Sequence, residues 1–386
     1  MKVGLSVSVI QRGKSGVATY VGGLLKGMAA RNWPVQVTLF GLEEDRAWFA
    51  PWLNHCEWAG VPEGFRPAVK NILWHQTVLP GCLRRHGCDL VHIPSYRRIV
   101  TMPGIPQVVT IHDLAPFRLA GKYDRLRMFY GKQVVKRLAR RATAITAVSE
   151  STAADIREFF NIPSARLSVI YNGIEHGRFF PLPPEEVKRR LPITADWKEP
   201  WWIYVARLEH PGKNHLRLLK AFEAVCAALP SSSFRLVLAG ADWHGAPEIH
   251  RAIVASPVRD RIHCAGFVPD EDLSAWYSGA RALVFPSLFE GFGLPPLEAM
   301  ACGCPVLCSD RGSLLEVTGG AALIFDPENP DTIAASMQTL LASPDQRSRL
   351  VQAGLARACQ FRWESCAKET VALYHHACGQ PIPQNP

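Results

Sequence analysis

The sequence predicts an α/β protein built as two doubly wound, Rossmann-like domains. Three observations carry that reading. The chain has 386 residues, enough for two ordinary domains, and 48% of them are hydrophobic, which suits large buried cores. Apolar runs of strand character alternate with helical stretches throughout, the pattern of parallel sheets covered by helices. Residues 179–200 contain Pro181, Pro183, Pro184, Pro192 and Pro200, and this interval divides the alternation into two comparable sets. The expected boundaries are 1–180 for the first domain and 181–200 for a connection with a short charged helix. The second domain is expected over 201–360, and 361–386 should hold a last helix and a disordered tail. Two such domains on a linker leave a cleft between them.

In the first half the expected strands are 3–9, 35–40, 90–93, 108–112, 144–148 and 167–171. The first leads into Gln11-Arg12-Gly13-Lys14-Ser15-Gly16-Val17-Ala18-Thr19-Tyr20, a glycine-containing turn ahead of a helix. Residues 122–141 repeat Lys132, Lys136 and Arg140 every four positions, with Arg137 and Arg141 beside them. Val134, Val135, Leu138 and Ala142 form the opposing apolar stripe, so the segment reads as a helix on the core with a basic outer face. In the second half the expected strands are 202–205, 235–239, 262–265, 283–285, 305–308 and 322–325. Asp270-Glu271-Asp272, ahead of Leu273-Ser274-Ala275-Trp276-Tyr277, reads as the acidic first turn of a helix. Pro295-Pro296 open another, where a missing N–H costs nothing. A final helix is expected from Phe361-Arg362-Trp363-Glu364 to His376.

Composition excludes some classes. No apolar run reaches the roughly 18 residues of a membrane-spanning helix without charge or repeated Gly and Pro. The opening Met1-Lys2-Val3-Gly4-Leu5-Ser6-Val7 reads as a strand and not as a signal peptide. Eleven cysteines without a Cys-x-x-Cys pair read as reduced cytosolic thiols, with Cys302 and Cys304 in the core. The net charge of +9 is uneven: residues 1–184 carry 24 Lys and Arg against 12 Asp and Glu, and the remainder carries 19 against 22. The basic excess of the first half is either a solvated face or a contact for an anionic membrane or lipid diphosphate. Nucleic acid is disfavoured, since no aromatic-basic interleaving or binding motif accompanies the charge.

The stretch Phe289-Glu290-Gly291-Phe292-Gly293-Leu294-Pro295-Pro296-Leu297-Glu298 carries the most chemistry. A strand, Ala282-Leu283-Val284-Phe285, leads in and a helix leads out. The Gly-Phe-Gly turn therefore sits where open α/β sheets bind ligands and where free N–H groups attract phosphate. Two carboxylates beside a phosphate need a second purpose, and a sugar supplies it. Glu298 suits the two hydroxyls of a ribose; Glu290 suits sugar hydroxyls or a cationic sugar centre. A single Glu in a first helical turn is ordinarily a surface acid that complements the dipole. The whole string, with Ala299-Met300-Ala301-Cys302-Gly303-Cys304-Pro305-Val306 behind it, resembles the Glu-x7-Glu signature of the family-4 retaining glycosyltransferases.

That resemblance implies the GT-B architecture, with the acceptor held mainly by the first domain and a nucleotide-sugar donor by the second. It implies that Glu290, Gly291, Phe292, Gly293, Leu294 and Glu298 bind the donor. Val205-Ala206-Arg207-Leu208-Glu209-His210-Pro211-Gly212-Lys213-Asn214 resembles the family's Gly-Arg-Leu and Lys-Asn pair, with Ala206 in place of Gly and a turn one residue longer. Arg207 and Lys213 are suited to a diphosphate and to the charge that grows on it as the sugar departs; Gly212 gives the loop freedom. An ordinary surface ion pair is the alternative for Arg207. Gly16, in the loop after the first strand, would let the backbone approach a phosphate or the acceptor.

A lone histidine is more often structural than catalytic. The resemblance singles out His112, in Thr110-Ile111-His112-Asp113-Leu114, as the residue that reaches the transferred sugar from the first domain, with Asp113 as a candidate to orient its ring. Ser149 and Asn172-Gly173 also match family positions and could equally be caps and turns. Catalytic roles thus fall to Glu290, His112, Arg207 and Lys213. No metal site is expected, because Asp270-Glu271-Asp272 reads as a helix start and the two cations serve the diphosphate.

The reading is a metal-independent retaining glycosyltransferase with no cofactor. It would move glucose or mannose from a nucleoside diphosphate sugar, UDP before GDP, to a lipid-linked or growing polysaccharide acceptor. The expected place is the cytoplasm, with peripheral contact to the membrane through the basic first half. Two GT-B alternatives stay open: a sugar-nucleotide epimerase, or a sugar-phosphate synthase with a soluble acceptor. A non-catalytic binding protein is the third.

Overall fold

The computed structural model describes residues 1–31, 33–118 and 130–382. The chain forms two compact units. The first comprises Met1–Gly173 and the segment from Arg362 onward; the second is Ile174–Phe361.

The first unit holds a seven-stranded parallel sheet in the order β3-β2-β1-β4-β5-β6-β7. Its strands are β1 (Lys2–Ser6), β2 (Gln36–Leu42), β3 (Cys56–Val61), β4 (Leu90–Ile93), β5 (Gln107–Ile111), β6 (Ala144–Ala147) and β7 (Leu167–Val169). Alternate residues feed two cores on opposite faces. Leu90 and Val108 pack with Val3, Leu5, Leu24 and Val371. Val91, Ile93 and Val109 pack with Trp74, Leu83 and Ile145. Burial on both faces explains why most strands read as continuous apolar runs.

The sequence pattern does not announce β3. It is an edge strand that pairs with β2, and of Cys-Glu-Trp-Ala-Gly-Val only Val61 is buried, with Glu57 and Gly60 exposed. An acid and a glycine are poor strand formers, tolerated where one side of the ladder faces solvent.

The helix Trp363–Ala377 packs against the helix Gly16–Ala30. Gly23 and Gly27 allow the approach: a Cβ on Gly23 would stand 2.1 Å from the Trp363 ring, and one on Gly27 would stand 2.3 Å from the Trp363 carbonyl oxygen. A buried chain of bonds ties this helix to the sheet. The Tyr374 hydroxyl meets His92 Nδ1 at 2.7 Å, His92 Nε2 meets Thr110 Oγ1 at 2.8 Å, and Thr110 meets the Tyr20 hydroxyl at 3.1 Å.

The basic segment begins at Lys122, but residues 122–129 lie outside the described ones. From Tyr130 to Ala139 it is helical, first in a wider turn over Tyr130–Val135 and then over Lys136–Ala139. Val135, Leu138 and Ala142 are buried, whereas Val134 is exposed. The apolar stripe read at 3.6-residue spacing is thus corrected at Val134, because the wider turn rotates that side chain outward. Of the expected tail, residues 383–386 also lie outside the described residues. No helix among the described residues is long and apolar enough to cross a membrane.

The second unit holds a six-stranded parallel sheet in the order β10-β9-β8-β11-β12-β13. Its strands are β8 (Trp202–Val205), β9 (Leu236–Ala239), β10 (Ile262–Gly266), β11 (Ala282–Phe285), β12 (Val306–Ser309) and β13 (Leu323–Phe325). The helix Pro184–Arg190 belongs to this unit and buries Val187 beside Gly279 and the helix Asp270–Ser278. Cys302 and Cys304 are buried, and all eleven cysteines are free thiols.

Candidate active site

In the second unit the winding runs outward through β8, β9 and β10, then returns so that β11 lies beside β8. Open α/β sheets bind ligands at such a reversal, outside the carboxyl ends of the strands. The loop 206–214 leaves β8 there, and the Glu290 turn leaves β11. The Tyr204 hydroxyl donates to the Lys213 carbonyl at 2.7 Å. Asn214 takes a left-handed conformation (φ +61°), and its amide donates to the carbonyls of Pro286 at 3.0 Å and Pro327 at 2.7 Å. The freedom assigned to Gly212 therefore resides in Asn214, a residue type whose short polar side chain tolerates that region. Gly212 instead accepts from the Leu288 N–H at 3.0 Å, which stitches the two loops together.

The Glu290 turn is braced from behind. Ser313 Oγ donates to the carbonyls of Phe292 at 2.7 Å and Glu290 at 3.2 Å, and the Ser313 N–H donates to Glu290 at 3.1 Å. Gly312 (φ +62°) makes room, since a Cβ there would lie 2.3 Å from the Glu290 carbonyl oxygen. Gly293 (φ +96°) turns the chain into the helix Leu294–Ala301, which Pro295 and Pro296 open. Leu294 is partly exposed, while Gly291 and Phe292 are buried. These braces bring Lys213 Nζ to 2.6 Å from Glu290 Oε1, with the two side chains only 20% and 15% exposed.

Glu298 does not join that pair. It lies eight positions on, in the helix, where the Tyr277 hydroxyl donates to its Oε2 at 3.1 Å. Its dense surroundings push the carboxyl up to about 7; the Tyr277 bond opposes this without overcoming it. Arg207 also stands apart. Its guanidinium lies over the Trp243 ring at 4.6 Å and 3.5 Å from Glu209 Oε2, and about half of the side chain is exposed.

The remaining candidates lie in the first unit. Gly16 is the first residue of its helix, with nothing within 4 Å of the place a Cβ would occupy. Ser15 caps that helix by accepting from the Ala18 N–H at 3.2 Å. His112 follows β5. Its Nε2 lies 3.2 Å from the Pro94 carbonyl, which can only accept, so Nε2 carries the proton and Nδ1 is left as an acceptor. Burial pushes the ring down to about 4, so it is neutral at neutral pH. Asp113 does not orient it: that carboxylate accepts from the Ala115 N–H at 3.0 Å and closes a local turn, while Pro94 holds the ring. Ser149 caps the helix Glu150–Asp155, and Gly173 admits the Trp363 backbone, whose nitrogen would lie 2.2 Å from a Cβ. Asp270, Glu271 and Asp272 open the helix Asp270–Ser278, with Asp270 paired to Arg178 at 2.7 Å.

Sequence reasoning missed Tyr277, Gly312 and Ser313. Each lies on a different element from the residue it serves, so no local spacing points to it.

Residues 14–178 match the family described as Glycosyltransferase Family 4, and residues 190–357 match Glycosyl transferases group 1. The chain is 34% identical over 275 residues to O-antigen chain mannosyltransferase B of Escherichia coli, covering 69% of each chain. It is 31% identical over 311 residues to the MMP alpha-(1->4)-mannosyltransferase of Mycolicibacterium hassiacum, covering 76% of this chain and 72% of that one. Among solved structures it is similar to a sucrose-phosphate synthase from Thermosynechococcus elongatus (TM-score 0.79, 23% identity, 97% and 98% coverage). It is also similar to Anabaena HepE in complex with UDP and glucose (TM-score 0.76, 17% identity, 97% and 100% coverage). At such identities these two likenesses speak for the fold alone. With two parallel-sheet α/β units and these relatives, the chain belongs to the family-4 glycosyltransferases and has the GT-B fold of two Rossmann-like domains.

Proposed function

We propose that this protein is a retaining hexosyltransferase of polysaccharide assembly, taking its sugar from a nucleoside diphosphate donor. The observation that carries the reading is the Lys213–Glu290 pair at the reversal between β8 and β11. A partly buried cation and carboxylate are held there beside a helix amino end, the arrangement a diphosphate-linked sugar needs. Lys213 supplies a mobile charge to the diphosphate, and Arg207 supplies a planar one that engages two oxygens at once. As the sugar–phosphate bond breaks, negative charge grows on the leaving phosphate, and fixed cations lower that barrier. Two cations make the reading independent of a metal.

Glu298 accepts the ribose hydroxyls. Glu290 and the backbone of Phe292, Gly293 and Leu294 hold the sugar, and Glu290 shields the positive character that develops at its ring. Neutral His112 offers Nδ1 to a sugar hydroxyl, and open space at Gly16 accommodates backbone contact with phosphate or acceptor. Retention follows if the acceptor attacks the face that the phosphate leaves, with the leaving phosphate taking the acceptor proton. The names of the relatives favour mannose over glucose as the donated sugar and an O-antigen-like polysaccharide as the acceptor, and we place that polysaccharide on a lipid carrier. UDP stands first among carriers and GDP second. The basic face at Lys132, Arg137 and Arg141 suits peripheral contact with an anionic membrane from the cytoplasm.

The test is calorimetric binding of UDP, GDP, ADP, dTDP and CMP with EDTA throughout, then turnover with hexoses on the preferred carrier. One diphosphate should bind, transfer should proceed in EDTA, and NMR should find the donor's anomeric configuration in the product. Full transfer by Glu290→Ala and Lys213→Ala would sink the site assignment.

A further inference from the structure

The first unit has its own reversal of winding. The chain runs from β1 through β2 to β3 and returns so that β4 lies beside β1. Outside the carboxyl ends of these two strands stands a polar cluster that the reaction above does not use. It is built from Ser6 at the end of β1 and Ser8 just beyond it, Asn71 and His75 on the helix Ala68–Thr77, and Arg98 in the turn after β4.

The bonds fix the tautomer of His75. His75 Nδ1 lies 2.7 Å from the Asn71 carbonyl, so it donates there; Nε2 then accepts from Ser6 Oγ at 2.7 Å. The Asn71 amide donates to Ser8 Oγ at 3.1 Å, and its oxygen accepts from Arg98 Nε at 2.6 Å. Arg98 Nη1 reaches the Arg97 carbonyl at 3.4 Å. Donors are left over on two groups. The Ser8 hydroxyl has accepted and still holds its hydrogen, and Arg98 Nη2 has no partner among the described residues. Both groups are tied to the one Asn71 amide.

The charge is unbalanced as well. No carboxylate among the described residues pairs with Arg98, although most of its side chain is enclosed. A cation taken out of water without a counterion is costly, and the guanidinium is pushed down to about 10 by burial and by the neighbouring Arg97 charge. His75 cannot lend a second charge, since burial holds it near 3. What the cluster lacks among the described residues is an anion with at least two acceptor oxygens, and guanidinium binds phosphate through two parallel bonds.

We infer that Arg98, with Ser8 and the Asn71–His75 scaffold behind them, is a binding site for a phosphate group of the acceptor. This deepens the glycosyl-transfer reading and rests on it.

The experiment titrates inorganic phosphate by calorimetry into the full chain saturated with its preferred nucleoside diphosphate, so that the donor site is already filled. One phosphate should bind, at least tenfold weaker in Arg98→Gln and partly restored in Arg98→Lys. Ser8→Ala, which keeps the guanidinium and its Asn71 bond, should weaken it severalfold and guards against a folding defect in the Arg98 variants. Nucleotide binding without phosphate should be unchanged in all three. Displacement of phosphate by a short-chain prenyl phosphate would identify a lipid-linked source; displacement only by a hexose phosphate would identify a soluble one. Absent phosphate binding, or equal binding in wild type and Arg98→Gln, would overturn the inference while intact nucleotide binding leaves the donor site standing.

Discussion

Replacing Glu298 by glutamine tests the carboxyl that burial pushes up to about 7. The shift from an ordinary 4.5 corresponds to about 3 kcal/mol between the protonated and ionised forms. The folded-state value is raised, so the protonated form is favoured on folding. That stability is complete below about 4.5 and is lost as pH rises through about 7. Glutamine has no proton to lose, so the second unit of Glu298→Gln should gain on wild type by about 2 kcal/mol between pH 5 and pH 8. Ligand binding should run the other way. Ribose hydroxyls donate best to the ionised carboxylate, whose population grows about tenfold from pH 6 to pH 8 for a group near 7. Wild-type affinity for the nucleoside diphosphate should rise by up to that factor, and that of Glu298→Gln should not. The phosphate's own ionisation is common to both proteins, so the ratio of their calorimetric constants isolates Glu298. An equal pH slope in the two proteins would refute the ribose assignment, and so would a nucleotide that binds Glu298→Gln as tightly at pH 8.

Three further perturbations follow from the same geometry. Glu290→Gln releases Lys213 from its 2.6 Å partner, so the nucleoside diphosphate should bind as well or more tightly while transfer falls at least about 100-fold; weaker nucleotide binding would show that Lys213 does not face the diphosphate. Gly312→Ala forces a left-handed alanine whose Cβ lies 2.3 Å from a backbone oxygen, and thermal unfolding should report about 2–4 kcal/mol lost from the second unit. Gly27→Ala pushes against the Trp363 backbone at 2.3 Å, so hydrogen exchange should show the helix Trp363–Ala377 losing protection; wild-type protection there would contradict the close packing.

The doubly wound fold was legible because its strands are buried on both faces. Ala282–Phe285 reads as an unbroken apolar run and Leu90–Ile93 as one interrupted only by His92, and that pattern does not depend on which strand lies alongside. The exceptions have local causes. β3 keeps one side in solvent and needs no apolar run. Val134 follows a wider helical turn than the periodicity assumes. Helix starts were equally readable, since Pro295-Pro296 and the acids at 270–272 act within one turn of the chain. His112 could be picked out from its motif, but its neutrality and its Pro94 partner could not, because burial and an 18-residue separation are properties of the packed molecule.

The candidate site divides the same way. Sequence alone determined that Glu290 precedes a glycine turn and that Glu298 follows inside a helix, because strand, turn and helix are written in consecutive residues. Only the tertiary structure decided that Glu290 faces Lys213 from 77 positions away, while Glu298 is enclosed beside Tyr277 from 21 positions away. The partners that set a carboxylate's charge arrive through the order of strands in the sheet, and that order places β8 against β11 by packing rather than by proximity in the chain.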